Sequence, residues 1–304
     1  MYLDKIRTVK EKSYENRCGL AMSSLPIIGF LIFSLIPMVL AVYMGFCKIQ
    51  GFDITTAEWV GFENFETVLN DTLFWDSVGN TFIYVIGLPI CMAISLCVAF
   101  LLTKNVKGKK FFRTIYFIPY VCSIVAVVLM WKYIFNETNG VVNVILTSIN
   151  GNDWERLGWV TDPNLFRTVV IIMGVWGGCG FQIILYSAAL TNISPSLYEA
   201  AKMDGANAFQ CFWHITLPGV SPTTFYLLVT GLIGSLQSFA NTQVLASDGG
   251  PDNAGVTIGF YLYRDAFQYF KMGEASASAW LLAIMIMIIT VINFAVSRKW
   301  VSYD

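Results

Sequence analysis

Charged residues are scarce in this chain, 13% of 304 positions against 56% hydrophobic ones, a balance outside that of soluble globular domains. Histidine is nearly missing. His214 is the only one, which excludes a His-rich metal centre and leaves little room for a Ser-His-Asp arrangement. The cysteines at 18, 47, 91, 97, 122, 179 and 211 form no C-x-x-C pair and mostly fall in apolar runs, so no disulfide framework and no metal site are expected. No G-x-x-x-x-G-K-[ST] string occurs, so the chain has no phosphate loop with which to hydrolyse ATP, and no cofactor of its own is expected. A membrane enzyme would need paired carboxylates or a histidine near a membrane face; Asp71 and Asp76 read instead as solvated loop charges.

What is abundant is long apolar sequence. A membrane-spanning helix needs about 20 mostly apolar residues to cover a hydrocarbon core of about 30 Å. Six stretches qualify, at approximately 20–46, 81–103, 114–135, 165–190, 223–246 and 277–297. These predict an all-α polytopic membrane protein: a cytoplasmic tail over 1–19, then a single transmembrane domain over 20–304. The first run is too long for a signal-peptide core and lacks a small-x-small cleavage site, so it is expected to be retained as a helix. Prolines 26 and 37 in helix one, Pro89 in helix two and Pro119 in helix three each remove a backbone donor and predict kinks.

Basic residues in short flanks are retained on the cytoplasmic side. With the N-terminus inside, that side receives thirteen Lys and Arg, including Lys5 to Arg17, Lys104 to Arg113, Lys202, Arg298 and Lys299; the outside receives six. The expectation is a multi-pass protein of the plasma membrane with both termini cytoplasmic and residues 191–222 forming a cytoplasmic loop.

The centres of the six runs contain no Asp, Glu, Lys or Arg. Such a residue costs at least about 2.5 kcal/mol in a membrane helix and marks a proton, ion or charged-ligand path. Its absence counts against a proton-driven carrier and fits an uncharged polar cargo. An ion-coupled secondary transporter of a neutral polar solute is the alternative, since backbone carbonyls can bind sodium. Neutral polar groups do occur. Helix four reads GVWGGCGFQIILYSAAL, in which Trp176 offers a stacking face and Gln182 a hydrogen-bonding group, while glycines 174, 177, 178 and 180 suit close helix packing. Helix five carries Gln237, Ser238, Asn241 and Gln243; the spacing from Gln237 to Asn241 places two amides on one helical face, toward either a partner helix or a polar path.

The polar stretch EAAKMDGANAFQCFWHITLP, Glu199 to Pro218, interrupts the apolar sequence. Ser194-Pro195 predicts a capped helix start, Gly205 a left-handed stop, and Asn207 a second short helix that ends before Pro218. Neither piece is long enough to stand alone in water, so each must dock, on its own bundle or on another protein.

This stretch matches the EAA pattern of ABC importer permeases, EAA-x3-G-x9-I-x-LP, at Glu199, Ala200, Ala201, Gly205, Ile215, Leu217 and Pro218. GFENF (61–65), FFRTIYFIPYVCS (111–123), SDGGPDNAG (247–255) and YRDAFQYFKMGEASA (263–277) also resemble segments of the maltose and glycerol-phosphate type of sugar permease. The resemblance covers nearly the whole chain after about residue 20. It implies a type I ABC importer (MetI-like) permease fold and a subunit that translocates a sugar or oligosaccharide. The implied partners are a second, homologous permease subunit, two ATP-binding cassette ATPases that hold the ATP and Mg, and an extracytoplasmic substrate-binding protein, with the lipid bilayer around them and no nucleic acid. It also implies ATPase coupling through Glu199, Ala200, Ala201, Asp204 and Gly205, and a substrate path past Ser123, Trp176, Gly178, Phe181, Gln182, Gln237 and Asn241. The chain lacks the extra N-terminal helices and external insert of the enteric maltose subunit, and the residues flanking the helix-four positions differ, so the resemblance does not carry the substrate with it.

Overall fold

A computed structural model of the protein describes residues 18–49, 51–103, 108–151 and 154–302. The tail before Cys18 and the lysines at 104 and 107, which carry part of the charge asymmetry, lie outside the described residues. Among the described residues four helices are long and apolar enough to cross a membrane: Cys18–Gly45, Thr72–Thr103, Pro163–Asn192 and Met272–Ser297. Two further spans come from bent pairs: Phe111–Val121 with Ile124–Ile134, bent by 98°, and Ser221–Leu236, which the loop helix Ala208–Gly219 enters at 61°. Counting each pair once gives six, called spans one to six in chain order.

Several boundaries differ from those expected. Span two begins at Thr72, not near 81, because Asp71 caps it by accepting from the Leu73 amide at 2.9 Å. A first turn so capped extends through Asp76 and Asn80, polar residues that hydropathy discounts. Span four starts at Pro163, where Asp162 accepts from both the Asn164 and Leu165 amides. Span six starts at Met272, five residues early, behind Phe270, whose φ is +57°. Span five is the main correction: it stops at Leu236, and Phe239 (φ −147°, ψ −37°) separates it from a short helix, Ala240–Leu245.

The prolines act in different ways. In span one a π-turn over Leu31–Leu35 immediately precedes Pro37, with the Ile36 amide bonding back to the Leu31 carbonyl. A wider turn relieves the clash between a proline ring and the carbonyl behind it. The same device, Phe212–Thr216, precedes Pro218. The second loop helix therefore does not end before Pro218 as expected but continues to Gly219. In span three Pro119 lies inside Lys109–Val121, and the sharp turn falls just after it, at Cys122 and Ser123.

Side-chain bonds fix which ends of the spans lie together. At one end Asn80 Nδ2 donates to the carbonyls of Asn253 (2.9 Å) and Val256 (3.1 Å), and Arg167 Nε donates to Asn80 Oδ1 (3.1 Å). At that same end Asn64 Nδ2 holds the carbonyls of Gly45 and Cys47, beside the start of span six at Gly273, and a two-stranded antiparallel ladder pairs Cys47 with Trp59. Apolar packing of Phe74, Ile258, Phe260 and Leu282 fills this end. At the other end Leu96, Ala99, Ile183, Tyr186, Val220 and Leu227 pack spans two, four and five together.

Candidate functional site

Span four's inward face is built by helical periodicity. Positions 174, 178, 181 and 182 recur at i, i+4, i+7 and i+8, so they share one stripe. Gly174, and Gly234 on span five, have open space where a side chain would begin and leave the stripe hollow, whereas Gly178 and Gly231 let Cys91 and Leu88 of span two approach. The result is a cavity of about 470 Å³ between spans two, four and five, with Tyr120 of span three at its edge. Among the described residues no Asp, Glu, Lys, Arg or His lines it; its polar side chains include Gln182, Thr230, Ser235, Ser238 and Asn241.

Two features of this cavity bear on what it can hold. Gln182 is 7% exposed, and its buried Oε1 has no hydrogen-bond partner among the described residues. A buried amide oxygen left unpaired costs about 1 to 3 kcal/mol, which a ligand donor recovers once the cavity wall shifts to uncover it. Tyr120 stacks on Phe181 with ring centroids 5.1 Å apart and planes 15° from parallel, which supplies an aromatic surface at the cavity edge. By contrast the Tyr84 hydroxyl is already committed to the Ala254 carbonyl at 2.5 Å. The arrangement can hold an uncharged polar molecule by hydrogen bonding and stacking.

The structure brings Gly178, Phe181, Gln182 and Asn241 together and leaves three expected residues outside. Trp176 lies two residues from Gly178, about 200° around the helix. It faces a separate apolar groove of about 760 Å³ and meets Trp131 edge-on at 5.7 Å. Ser123 is exposed at the break in span three, where it precedes Ile124–Ile134. Gln237 caps the last turn of span five, so the interruption at Phe239 removes it from any helical face shared with Asn241. The sequence reading missed Tyr120, Thr230 and Ser235. The signal for two of them was present: Thr230, Gly231, Gly234 and Ser235 repeat the small-and-polar pattern of span four.

Close packing accounts for only part of the span-four glycines. A Cβ at Gly180 would run into the Tyr116 carbonyl and come within 3.1 Å of the Phe117 Cα, while Gly174 and Gly177 have nothing within 4 Å.

The loop between spans four and five forms two helices, Pro195–Met203 and Ala208–Gly219. Pro195 occupies the first turn as expected, but Ser194 does not cap it; its hydroxyl bonds to Ser196 Oγ at 2.7 Å. Gly205, at φ +82°, ends the first helix through the bond from the Ala206 amide to the Ala201 carbonyl. Asn207 and Gln210 form a reciprocal capping box for the second. Tyr198 and Thr216 tie the two loop helices together at 2.9 Å, and Phe212, edge-on to Phe100 of span two, anchors the second helix on the bundle. Its tip projects. Glu199, Ala200 and Asp204 are exposed and Ala201 half-buried, beside Leu197, Met203 (88% exposed) and Phe209 (70%). Leu197 shares a helical side with Ala200 and Ala201, as its spacing predicts, whereas nothing in the sequence pattern singles out Met203 and Phe209. Glu199 and Lys202 also share a pocket of about 770 Å³ with Thr103 and Arg113, at the far ends of spans two and three.

Residues 90–299 match the model of the family described as binding-protein-dependent transport system inner membrane component. The chain is 35% identical to the probable ABC transporter permease protein YesP of Bacillus subtilis, over 99% of this chain and 96% of that one. It is 31% identical to the diacetylchitobiose uptake system permease protein NgcF of Streptomyces coelicolor, over 92% and 82%. Among solved structures it resembles a chain of a bacterial alginate ABC transporter in complex with an alginate pentasaccharide-bound periplasmic protein. That match has a TM-score of 0.83 and 27% identity, and covers 95% of this chain and 96% of that one.

Proposed function

The chain belongs to the family of binding-protein-dependent transport system inner membrane components, and from that premise we propose that it is the permease subunit of an ATP-driven importer of carbohydrate. The observation that carries the carbohydrate reading is the uncharged cavity with an unpaired amide oxygen on Gln182. Neutral polyhydroxylated molecules offer many donors and no charge, and they present flat faces to aromatic rings such as the Tyr120 and Phe181 pair. A relative named for diacetylchitobiose uptake supports the same neutral class, and the alginate transporter supports carbohydrate more broadly, its own cargo being acidic.

In this reading the chain does no chemistry. Two separate ATPase subunits bind ATP and Mg, and each of the paired permease chains presents a loop to one of them. Here the docking residues are Glu199, Ala200, Ala201, Asp204 and Gly205, joined by the exposed apolar Leu197, Met203 and Phe209. Hydrophobic residues exposed on a polar loop fit a partner surface. Movement of the loop is passed to spans four and five, which it joins directly, and so to the cavity between them. Gly178, Phe181, Gln182 and Asn241 receive cargo delivered from the outside by a binding protein. The lysine and arginine distribution supports placing the loop and both termini in the cytoplasm.

Uptake of a radiolabelled oligosaccharide in cells expressing the complete transporter tests both halves. Glu199→Lys is expected to abolish uptake while membrane insertion persists. Gln182→Leu is expected to raise the KM for uptake about fivefold, the worth of one hydrogen bond of about 1 kcal/mol. Wild-type uptake by Glu199→Lys removes the coupling role. Accumulation by the purified chain alone, driven by an ion gradient, establishes the secondary-transporter alternative instead.

A further inference from the structure

The wall that separates the polar cavity from the apolar groove contains two thiols. Cys91 of span two is 4% exposed and lines the cavity; Cys179 of span four is partly exposed and lines the groove. Their Sγ atoms are 3.5 Å apart. Each also points at the neighbouring helix's backbone, Cys91 Sγ at the Val175 carbonyl (3.6 Å) and Cys179 Sγ at the Cys91 carbonyl (3.9 Å). Gly178 makes room for this contact, since a Cβ there would lie 3.2 Å from Cys91 Sγ. A disulfide needs the two sulfurs to close to about 2.05 Å, roughly 1.5 Å of approach, which side-chain rotation supplies when the helices are already packed. They are: Leu88, Met92, Ile183 and Tyr186 form one buried cluster around the pair.

We infer that Cys91 and Cys179 form a peroxide-oxidised modification site, a reversible disulfide that ties span two to span four at the cavity wall. Cys179, the more exposed sulfur, is the one attacked. Its sulfur bonds to one peroxide oxygen as the O–O bond breaks, the other oxygen leaves with the thiol proton as an alcohol or water, and Cys179 becomes a sulfenic acid. Cys91 is the resolving thiol. Its sulfur attacks that of the sulfenic acid, an S–S bond forms, the S–O bond breaks, and the hydroxyl departs with the Cys91 proton as water. Two thiols and one peroxide thus give one disulfide, one alcohol (or water) and one water. The peroxide can arrive from the lipid side through the groove, as a lipophilic hydroperoxide, or from the aqueous cavity.

The full chain in membrane vesicles is treated in parallel with cumene hydroperoxide and with hydrogen peroxide, blocked with an alkylating reagent in denaturant, and digested without reduction for mass spectrometry. The expected result is one linked peptide pair containing Cys91 and Cys179, lighter than the two free peptides by two hydrogen atoms and separated by dithiothreitol. A stronger response to the lipophilic reagent assigns the groove as the route and a stronger response to hydrogen peroxide assigns the cavity; either supports the site. In Cys91→Ser the expected product is a dimedone adduct on Cys179, and in Cys179→Ser the expected result is no adduct on Cys91. Oxidation of the exposed Cys97 and Cys122 while Cys91 and Cys179 both remain alkylatable in the wild-type chain overturns the proposal.

Discussion

Asp265 lies on the helix Ile258–Phe267, outside the spans, with 5% of its surface exposed and no partner for its Oδ2. Burial, and then the negative charge of Glu274, push its carboxyl up from 3.8 to about 6, and Lys271 opposes them only partly. Nearby, the Tyr261 hydroxyl donates to Asp71 Oδ2 at 2.8 Å, and Lys271 Nζ is paired with Glu274 at 2.9 Å. Between 3.8 and about 6 the folded protein holds a proton at this position that the unfolded chain has released, so stability contributed here falls as pH rises through that window. Asp265→Asn removes the effect. The variant is expected to match wild type below pH about 4 and to exceed it by at most about 3 kcal/mol above pH about 6. Thermal midpoints in detergent across that range check this; parallel curves for the two proteins defeat it. Nothing in the sequence marked Asp265, because its burial comes from span six and the Asp71 turn folding over it. Gln182, by contrast, was legible: an amide in an apolar run must find a polar neighbour or a cavity.

At the scale of single helices, the contact between spans three and four turns on Gly180, whose missing side chain lets the Tyr116 carbonyl approach. Gly180→Ala is expected to destabilise the protein by about 1 to 3 kcal/mol through overpacking. Gly177→Ala, with open space at its Cβ position, is expected to stabilise the helix by up to about 1 kcal/mol. Thermal midpoints of the two variants decide the order, and a reversed order sinks the packing argument. Sequence showed four glycines of equal standing on span four. Only the position of span three distinguishes them, and no periodicity in span four contains that position. Span ends were obscured in a related way. Hydropathy sees Leu20 and Leu96 but discounts Asp71, Asp76 and Asn80, although capping by Asp71 starts the second span there. It also reads smoothly across Gln237 to Ala246, where Phe239 in fact breaks the helix.

For the whole molecule, the 98° bend in span three poses a choice between a broken crossing and a loop that returns to the side it left. A returning loop would put residues near 103 and the Glu199 loop on opposite sides of the membrane. They are not apart: Thr103, Arg113, Glu199 and Lys202 line one pocket, so the chain crosses twice between them and span three is a broken crossing. The Ser302 amide donates to Ser221 Oγ at 2.9 Å, which brings the C-terminal segment to this same end. Span one runs from Cys18 to Gly45, 28 residues or about 40 Å of helix, and Gly45 sits at the opposite end beside Asn64. Cys18, Glu199 and Ser302 therefore share an end, and Asp248, in the turn after Leu245, lies at the other with Asn253. The parity was legible from counting apolar runs; the bend was not, because no hydrophobic pattern encodes an angle between two halves of a run. In a cysteine-free background, single cysteines at Met203 and Ser302 are expected to resist a membrane-impermeant maleimide in intact cells and to react after permeabilisation, while one at Asp248 reacts in intact cells. Labelling of both Met203 and Ser302 from outside with Asp248 protected, while Cys18 restored alone stays protected, would mean that span three does not cross. The Glu199 loop would then face away from any cytoplasmic ATPase.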